Sequence, residues 1–479
     1  MIARTLDADG WRSEVEALVA GRGVLVGLWG EPGVVRMATL DGRDLGVVEL
    51  SCPWNSYPSV GARHAPAIRL ERTLFDLTGL KAEGAADQRP WLDHGRWAVR
   101  HPLGVAEPSP GPAAYAFLPA EGEDLHQIPV GPVHAGIIEP GHFRFTASGE
   151  TVVRLEERLG YAHRGLLGQM AGAPVDRAAQ LAGRACGDST VAYAVGFARA
   201  VEAAVGLEAP PRAVYLRALM AELERLANHL GDIGAICNDA AFALMHAHTS
   251  ILREQTLRAA DAVFGHRMMM DCVVPGGVAV DLATAGVETI RTLVRMVRER
   301  FPVLVSLYDD TASLQDRTVG TGIVKPEWVT QFGAGGYVGR ASGRGFDARK
   351  TLGYPPYYGL DFEVPTRIEG DVNARVWVRI DEVDQSLGLI DQILARLPAG
   401  PVRHDLPATA GEGWALVEGF RGDVFVWARV AGGALAQAYL RDPSWFQWPL
   451  LEAAIEGNIV ADFPLCSKSF NCAYAGVDL

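Results

Sequence analysis

The six cysteines are the residues of this sequence best suited to redox or metal chemistry, and two of them share one spacing. Cys186-Gly187-Asp188-Ser189 and Cys466-Ser467-Lys468-Ser469 both read Cys-x-x-Ser. A thiolate is a soft donor suited to transition metals, whereas a serine hydroxyl is a hard donor of far higher pKa that holds soft metals poorly. Six cysteines in 479 residues are too few for a disulfide framework. A free cysteine also packs as a small buried hydrophobe, which is the simplest role for Cys52, Cys237 and Cys272. For Cys186 and Cys466 both readings stay open. The chain has no Cys-rich cluster motif, no Gly-x-Gly-x-x-Gly after a strand and no phosphate loop, so nucleotide and iron-sulfur cofactors would have to sit on partner chains.

The elements that must position these residues fall into two parts, in keeping with a length that suits two or three domains. Residues 1–101 read as a small α/β unit, with strands expected at Gly23–Leu28 and Gly46–Leu50 and a helix at Leu70–Gly79, where Leu70, Leu74 and Leu77 recur at helical spacing. Residues 102–130 are rich in proline and glycine and suit an extended linker. Residues 131–479 open with strand and loop, then turn strongly helical over 177–267, with further helices at 287–300 and 383–397, an irregular stretch at 333–345 and a short apolar tail after Pro443. The fold class is therefore α+β, a small α/β unit followed by a mainly helical domain with small β elements. In the helix over 211–230, Arg212, Arg217, Glu222, Glu224 and Arg225 are expected on one solvated or partner-facing side. The net charge of −13 argues against nucleic acid and anionic lipid as partners. No run approaches the roughly 18 to 20 apolar residues of a membrane span, since the best, Val191–Leu207, carries Arg199 and Glu202. The first residues lack a secretory pattern, so a cytoplasmic location is expected.

Several stretches carry a family resemblance. Tyr57-Pro58-Ser59-Val60, Glu71–Leu80 and Asp87-Gln88-Arg89-Pro90 resemble the small C-type family of respiratory complex I. Gly131-Pro132-Val133-His134, Glu139-Pro140-Gly141-His142-Phe143, Gly160–Gly165, Gly265-His266-Arg267, Pro275–Val278, Arg340–Gly343, Glu369–Val372 and Pro443-Ser444 resemble, in order, the D-type family of complex I and the large subunits of group 4 membrane-bound nickel-iron hydrogenases. Fusion of the two parts is similar to the large subunits of formate hydrogenlyase and hydrogenase-4-type complexes.

The resemblance implies a mechanism and a set of residues to carry it. Nickel and iron in such hydrogenases are held by two Cys-x-x-Cys pairs; here Cys186 and Cys466 keep the terminal positions and Ser189 and Ser469 replace the bridging thiolates, which argues against an intact nickel-iron centre. The D-type proteins help form a quinone site with a loop histidine and a tyrosine, but the histidine falls near Ile138 or Glu139 and residues 177–189 hold no tyrosine. His134 alone survives from that loop. Glu139 matches the hydrogenase glutamate that relays protons, a role suited to a carboxyl of raised pKa in a poorly solvated cavity; the alternative is an ion pair with Arg144 or Arg164. Asp188 would extend a polar, proton-bearing version of the metal pocket. His163, Arg164 and His266 match positions close to the iron-sulfur cluster of a partner chain. The implied partners are an iron-sulfur protein like the B-type chain of complex I and membrane subunits, the implied location the inner face of the cell membrane, and the cofactor expected on this chain is none. The expected function is a peripheral-arm subunit coupling electron transfer in that partner to proton or ion movement. A hydrogenase of unusual ligation, a quinone-reducing subunit and a purely structural bridging module are the alternatives.

Overall fold

The computed structural model describes residues 3–479. Near the amino terminus, β1 (Arg4–Leu6), α1 (Ala8–Val19), β2 (Val24–Glu31), β3 (Val34–Asp41) and β4 (Asp44–Ser51) precede α2 (Ile68–Thr78). The four strands form a sheet in the order β1-β4-β3-β2, with β1 parallel to β4 and the rest antiparallel. Helix α2 stops where the sequence places its end, because Gly79 caps it at φ 75°, a left-handed conformation glycine adopts without a Cβ clash.

The second part begins with β5 (Leu125–Val130), β6 (His142–Ser148) and β7 (Thr151–Arg158), an antiparallel sheet with β6 in the middle. After a short helical turn at Leu166–Met170 come α3 (Val175–Ala182), α4 (Thr190–Val205), α5 (Pro211–Asp239) and α6 (Ala243–Phe264). Then come α7 (Thr284–Asp310), α8 (Gly336–Ala341) and α9 (Val372–Arg396), an antiparallel meander of β8 (Gly411–Glu418), β9 (Asp423–Ala431) and β10 (Ala434–Arg441), and two last helices, α10 (Ser444–Ala454) and α11 (Phe463–Phe470). The stretch expected to be irregular at 333–345 contains the six residues of α8. The tail after Pro443 forms α10 and α11 rather than only an apolar strip.

Helix α4 is buried on nearly every side, which explains its almost unbroken apolar sequence: it lies in the core against β8 and β9. No helix among the described residues is long and apolar enough to cross a membrane. The two parts share their cores. Trp29 of β2 stacks on Tyr439 of β10 with ring centroids 4.8 Å apart and planes 7° from parallel, a pair worth about 1 kcal/mol beyond its buried area. Arg429 forks onto Glu31 with two contacts of 2.7 Å, and Arg441 Nε donates to Val26 O at 2.7 Å.

One expectation fails on α5. Arg217, Glu222, Glu224 and Arg225 do not form a solvated or partner-facing side; all four are buried, and only Arg212 lies nearer the surface. Helix α5 packs against α6, α9 and α4, so even its charged face is covered and must be neutralised inside the protein. Glu222 accepts from Arg349 at 2.9 Å, Tyr357 at 2.7 Å and Ser386 at 2.9 Å. The network continues through Asp347, Arg340, Glu382 and Glu418, with His229 joined to Glu382 at 2.7 Å. Arg217 pairs separately with Glu202. Charges spaced like a wet helical face are in fact one side of an internal ion network, which periodicity cannot distinguish.

Candidate functional site

The two Cys-x-x-Ser turns come together around Arg421. The first lies between α3 and α4. Glu224 of α5 accepts from the backbone N–H groups of Val191 and Ala192 at 2.7 and 3.1 Å, satisfying donors that the first turn of α4 leaves free. Asn228, one turn along α5, donates to Asp188 O at 2.7 Å and fixes the preceding loop. Burial pushes the Glu224 carboxyl up to about 8 against the two amides that oppose it. The second turn is α11, which ends at Asn471 in a left-handed conformation. Arg375 of α9 donates to Ser469 Oγ at 2.9 Å and to the carbonyls of Gly370 and Gly322. Arg379, one turn on, donates to Ser469 O at 2.8 Å and to Asp232 Oδ2 at 3.1 Å, with its guanidinium 3.5 Å from the Tyr337 ring centre.

Arg421 stands in the tight turn between β8 and β9 and joins the two. Its Nη1 donates to Asp188 Oδ1 at 2.6 Å and to Ser189 Oγ at 3.1 Å, its Nη2 pairs with Asp188 Oδ2, and its Nε donates to Asn471 O at 2.5 Å. Asn471 then donates to Asp232, closing a path back to Arg379 and Ser469. Cys186 Sγ lies 3.0 Å from Asp188 Oδ1 and 3.7 Å from Arg421 Nη1. Burial raises the Cys186 thiol well above its usual range, Asp188 raises it further and Arg421 only partly opposes them. Burial pushes the Cys466 thiol up to about 11 in the same way, with Arg375 opposing it.

The side chains that end the two turns are two thiols and two hydroxyls, and most of them are already hydrogen-bonded within the protein. Ser189 Oγ is committed to Asp188 and Arg421, and Ser469 Oγ donates to Cys466 O and accepts from Arg375. A buried guanidinium beside the first thiol opposes a metal cation. Among the described residues no group of three or more His, Cys, Asp or Glu side chains could hold a metal ion. All six cysteines are free and buried.

The other sequence-derived candidates divide between two places. Three of them flank the Cys186 turn. Arg164 Nη2 donates to Ala185 O at 2.8 Å, and His163 Nδ1 donates to Asp478 O at 2.6 Å. On the other side Arg184 forks onto Asp271 with two contacts of 2.7 Å, drawing in the loop that carries His266. His266 itself is exposed and accepts from the backbone of Met268 and Met270, and Arg267 pairs with Glu254. Glu139 and His134 sit apart, on the loop before β6. His134 Nε2 donates to Gly141 O at 2.8 Å and braces that loop. Glu139 is exposed in this chain rather than in a poorly solvated cavity, and it pairs with neither Arg144 nor Arg164; its Oε2 accepts from Ala475 N at 3.0 Å.

Sequence reasoning missed Arg421, Asp232, Asn471 and the segment that connects the two places. Residues 471–479 run from Arg421, through the Ala475 contact with Glu139, to Asp478, whose carboxylate accepts from Gly160 N and Ala162 N at 2.9 Å each. Tyr193, just beyond the stretch searched for a tyrosine, is buried and donates to Asp442 at 2.7 Å. A Gly-rich turn carrying one arginine between two apolar strands, Gly419-Phe420-Arg421-Gly422, was the available signal for Arg421.

A helical core carrying two cysteine turns behind a small α/β unit defines a class, and comparison with known proteins identifies it. The family described as "Respiratory-chain NADH dehydrogenase, 49 Kd subunit" matches residues 239–410. Formate hydrogenlyase subunit 5 of Escherichia coli is 31% identical over 448 residues, covering 90% of this chain and 78% of that protein. The carbon monoxide-induced hydrogenase of Rhodospirillum rubrum is 31% identical over 72% of this chain and 97% of its own length. The D-type chain of the NADH-quinone oxidoreductase of Syntrophobacter fumaroxidans is 30% identical over 72% of this chain and 94% of its own. Among solved structures, a chain of the membrane-bound sulfane sulfur reductase, an archaeal respiratory membrane complex, superposes with a TM-score of 0.70 at 26% identity, covering 74% of this chain and 99% of that one. The chain belongs to the family of complex I 49-kDa subunits and membrane-bound hydrogenase large subunits. Its relatives are subunits of membrane-bound hydrogenase or complex I-like complexes.

Proposed function

We propose that this chain is a peripheral-arm subunit of a membrane-attached oxidoreductase of the complex I and hydrogenase-4 type, that it carries no nickel-iron centre of its own, and that it couples electron transfer in a partner's iron-sulfur cluster to proton or ion movement. The observation that carries this reading is the Asp188–Arg421 ion pair, which occupies the ground between two Cys-x-x-Ser turns and ties them with hydrogen bonds where the hydrogenase relatives would use thiolates. The turn that holds Cys186 is bracketed by Arg164 and by the His266 loop, so a cluster on an iron-sulfur partner of the complex I B type, docked at this face, would meet cationic and imidazole groups. Membrane subunits at the inner face of the cell membrane would supply the ion path.

Asp188 is the proton-bearing candidate on this chain. It is half-buried, and against the upward push of burial Arg421 holds its carboxyl below the usual range, so it rests ionised and would take up a proton only when its pairing with Arg421 is weakened. Glu139, exposed on its own loop, is the group a membrane partner would cover. The test is the assembled complex carrying Asp188→Asn or Glu139→Gln, read as electron-transfer rate and proton uptake per electron. Loss of proton uptake in either variant, with the complex intact, supports coupling through this chain. Unchanged rate and stoichiometry in both would leave only a bridging module.

A further inference from the structure

We propose that the cleft between α2, the loop at 88–96 and the Pro-rich strap at 110–117 is a binding site for a small anion bearing phosphate or carboxylate groups, with Arg158 as its principal anchor. The cleft has a volume of about 660 Å³, within the range of small-molecule sites. No residue of the cysteine turns lines it, and it does not depend on the function proposed above.

Arg158, the last residue of β7, is 3% exposed, yet no carboxylate lies within ion-pair distance of it among the described residues. Its guanidinium donates to two carbonyls, Pro90 O and, at 3.5 Å, Asp93 O, and lies 4.3 Å from the Tyr115 ring centre. Most other buried arginines, such as Arg340 and Arg349, are met by acids, whereas Arg375, like Arg158, relies on backbone carbonyls. A buried cation left without one is costly, and burial accordingly pulls the Arg158 guanidinium down to about 10. An anion entering the cleft would complete the pair and gain bidentate geometry.

The remaining charges favour the same ligand. Arg96 and Arg100 line the cleft and form no ion pair among the described residues. The acids that line it are occupied: Asp76 accepts from the backbone of Trp91, Leu92 and Asp93, and Asp93 accepts from Gly95 N. Arg89 is already matched by Asp87 and Glu156. The imidazoles of His94 and His142 are pushed down by burial and by neighbouring arginines, so the guanidinium groups carry the positive charge. Three arginines that form no ion pair among the described residues line the cleft, with Asp76 acting on Arg158 only at longer range, in a chain whose net charge is −13.

Calorimetric titration of the full chain with inorganic phosphate and, separately, with citrate tests the site at low ionic strength. The expected result is saturable binding of one or both at one per chain. Binding should weaken at least tenfold in Arg158→Gln and severalfold in Arg96→Gln/Arg100→Gln, whose exposed or half-buried side chains can be changed without loss of the fold. Preference between the probes assigns phosphate or carboxylate chemistry. Absence of saturable binding by either, or equal affinity in the double variant and the parent, overturns the proposal. Binding to the isolated chain that disappears in the assembled complex would overturn it too, because an acidic segment of a partner would then fill the cleft.

Discussion

Replacing Arg421 by methionine removes the joint between the two cysteine turns while keeping side-chain bulk. The arginine side chain is 4% exposed and that of its partner Asp188 is 32% exposed. Breaking a fully buried pair from one side costs about 3–5 kcal/mol, and an exposed pair costs about 0–1. An aspartate one-third open to solvent puts this pair between those limits, at roughly 2 kcal/mol. The substitution also strips a donor from Asn471 O and from Ser189 Oγ, adding about 1 kcal/mol. The expected loss is therefore about 3 kcal/mol, read from urea unfolding at fixed temperature. Asp188→Asn alone leaves Arg421 without its counter-charge, so the double variant should cost less than the two single losses together by roughly 1.5 kcal/mol. The substitution has a chemical readout as well: without the cation, the Cys186 thiol should rise still further and react more slowly with an alkylating agent. A loss below about 0.5 kcal/mol that adds independently to that of Asp188→Asn would refute the reasoning, because the ion pair would then not be holding the turns together.

Other consequences follow from buried groups. All six thiols are buried, with Cys237 pushed up to about 12 and Cys466 and Cys272 to about 11, so the native chain should show little or no alkylation at neutral pH and six modified sites after unfolding, by mass spectrometry. Burial raises the Asp478 carboxyl to about 7 from an ordinary value near 4, so the folded state holds a proton that the unfolded state releases. The contribution of Asp478 to stability should therefore fall as pH rises from about 4 to 7, and Asp478→Asn should remove that component from a pH series of urea midpoints. Glu222→Gln should cost about 3–5 kcal/mol, because Arg349 and Arg225 lose a shared carboxylate in a fully buried site; a cost under 1 kcal/mol would contradict the network.

Much of the architecture was legible because hydrophobic spacing reports burial directly. Leu70, Leu74 and Leu77 with Gly79 give α2 and its end, and the glycine-bounded runs give β2 and β4 within a few residues. What stayed hidden depends on long-range contact. The charged face of α5 looks wet in one dimension because its counter-charges, Arg349 and Glu382, arrive from more than 120 residues away. The cysteine turns were visible as spacing, but Arg421 is marked in sequence only by a Gly-rich turn, and its role appears only when the β8–β9 turn is set between them. Glu139 shows the reverse limit. Its motif was clear in sequence, but its environment in this chain is exposed, which the motif alone does not report.

The most direct test of the central claim is the metal content of this chain purified with its native partners, measured as nickel and iron per copy together with an infrared search for metal-bound carbonyl and cyanide. The account predicts no nickel, no such bands and iron attributable to partner clusters alone. Nickel near one per chain with those bands would contradict it, and would mean that Cys186 and Cys466 ligate a metal despite Arg421 and the two serines.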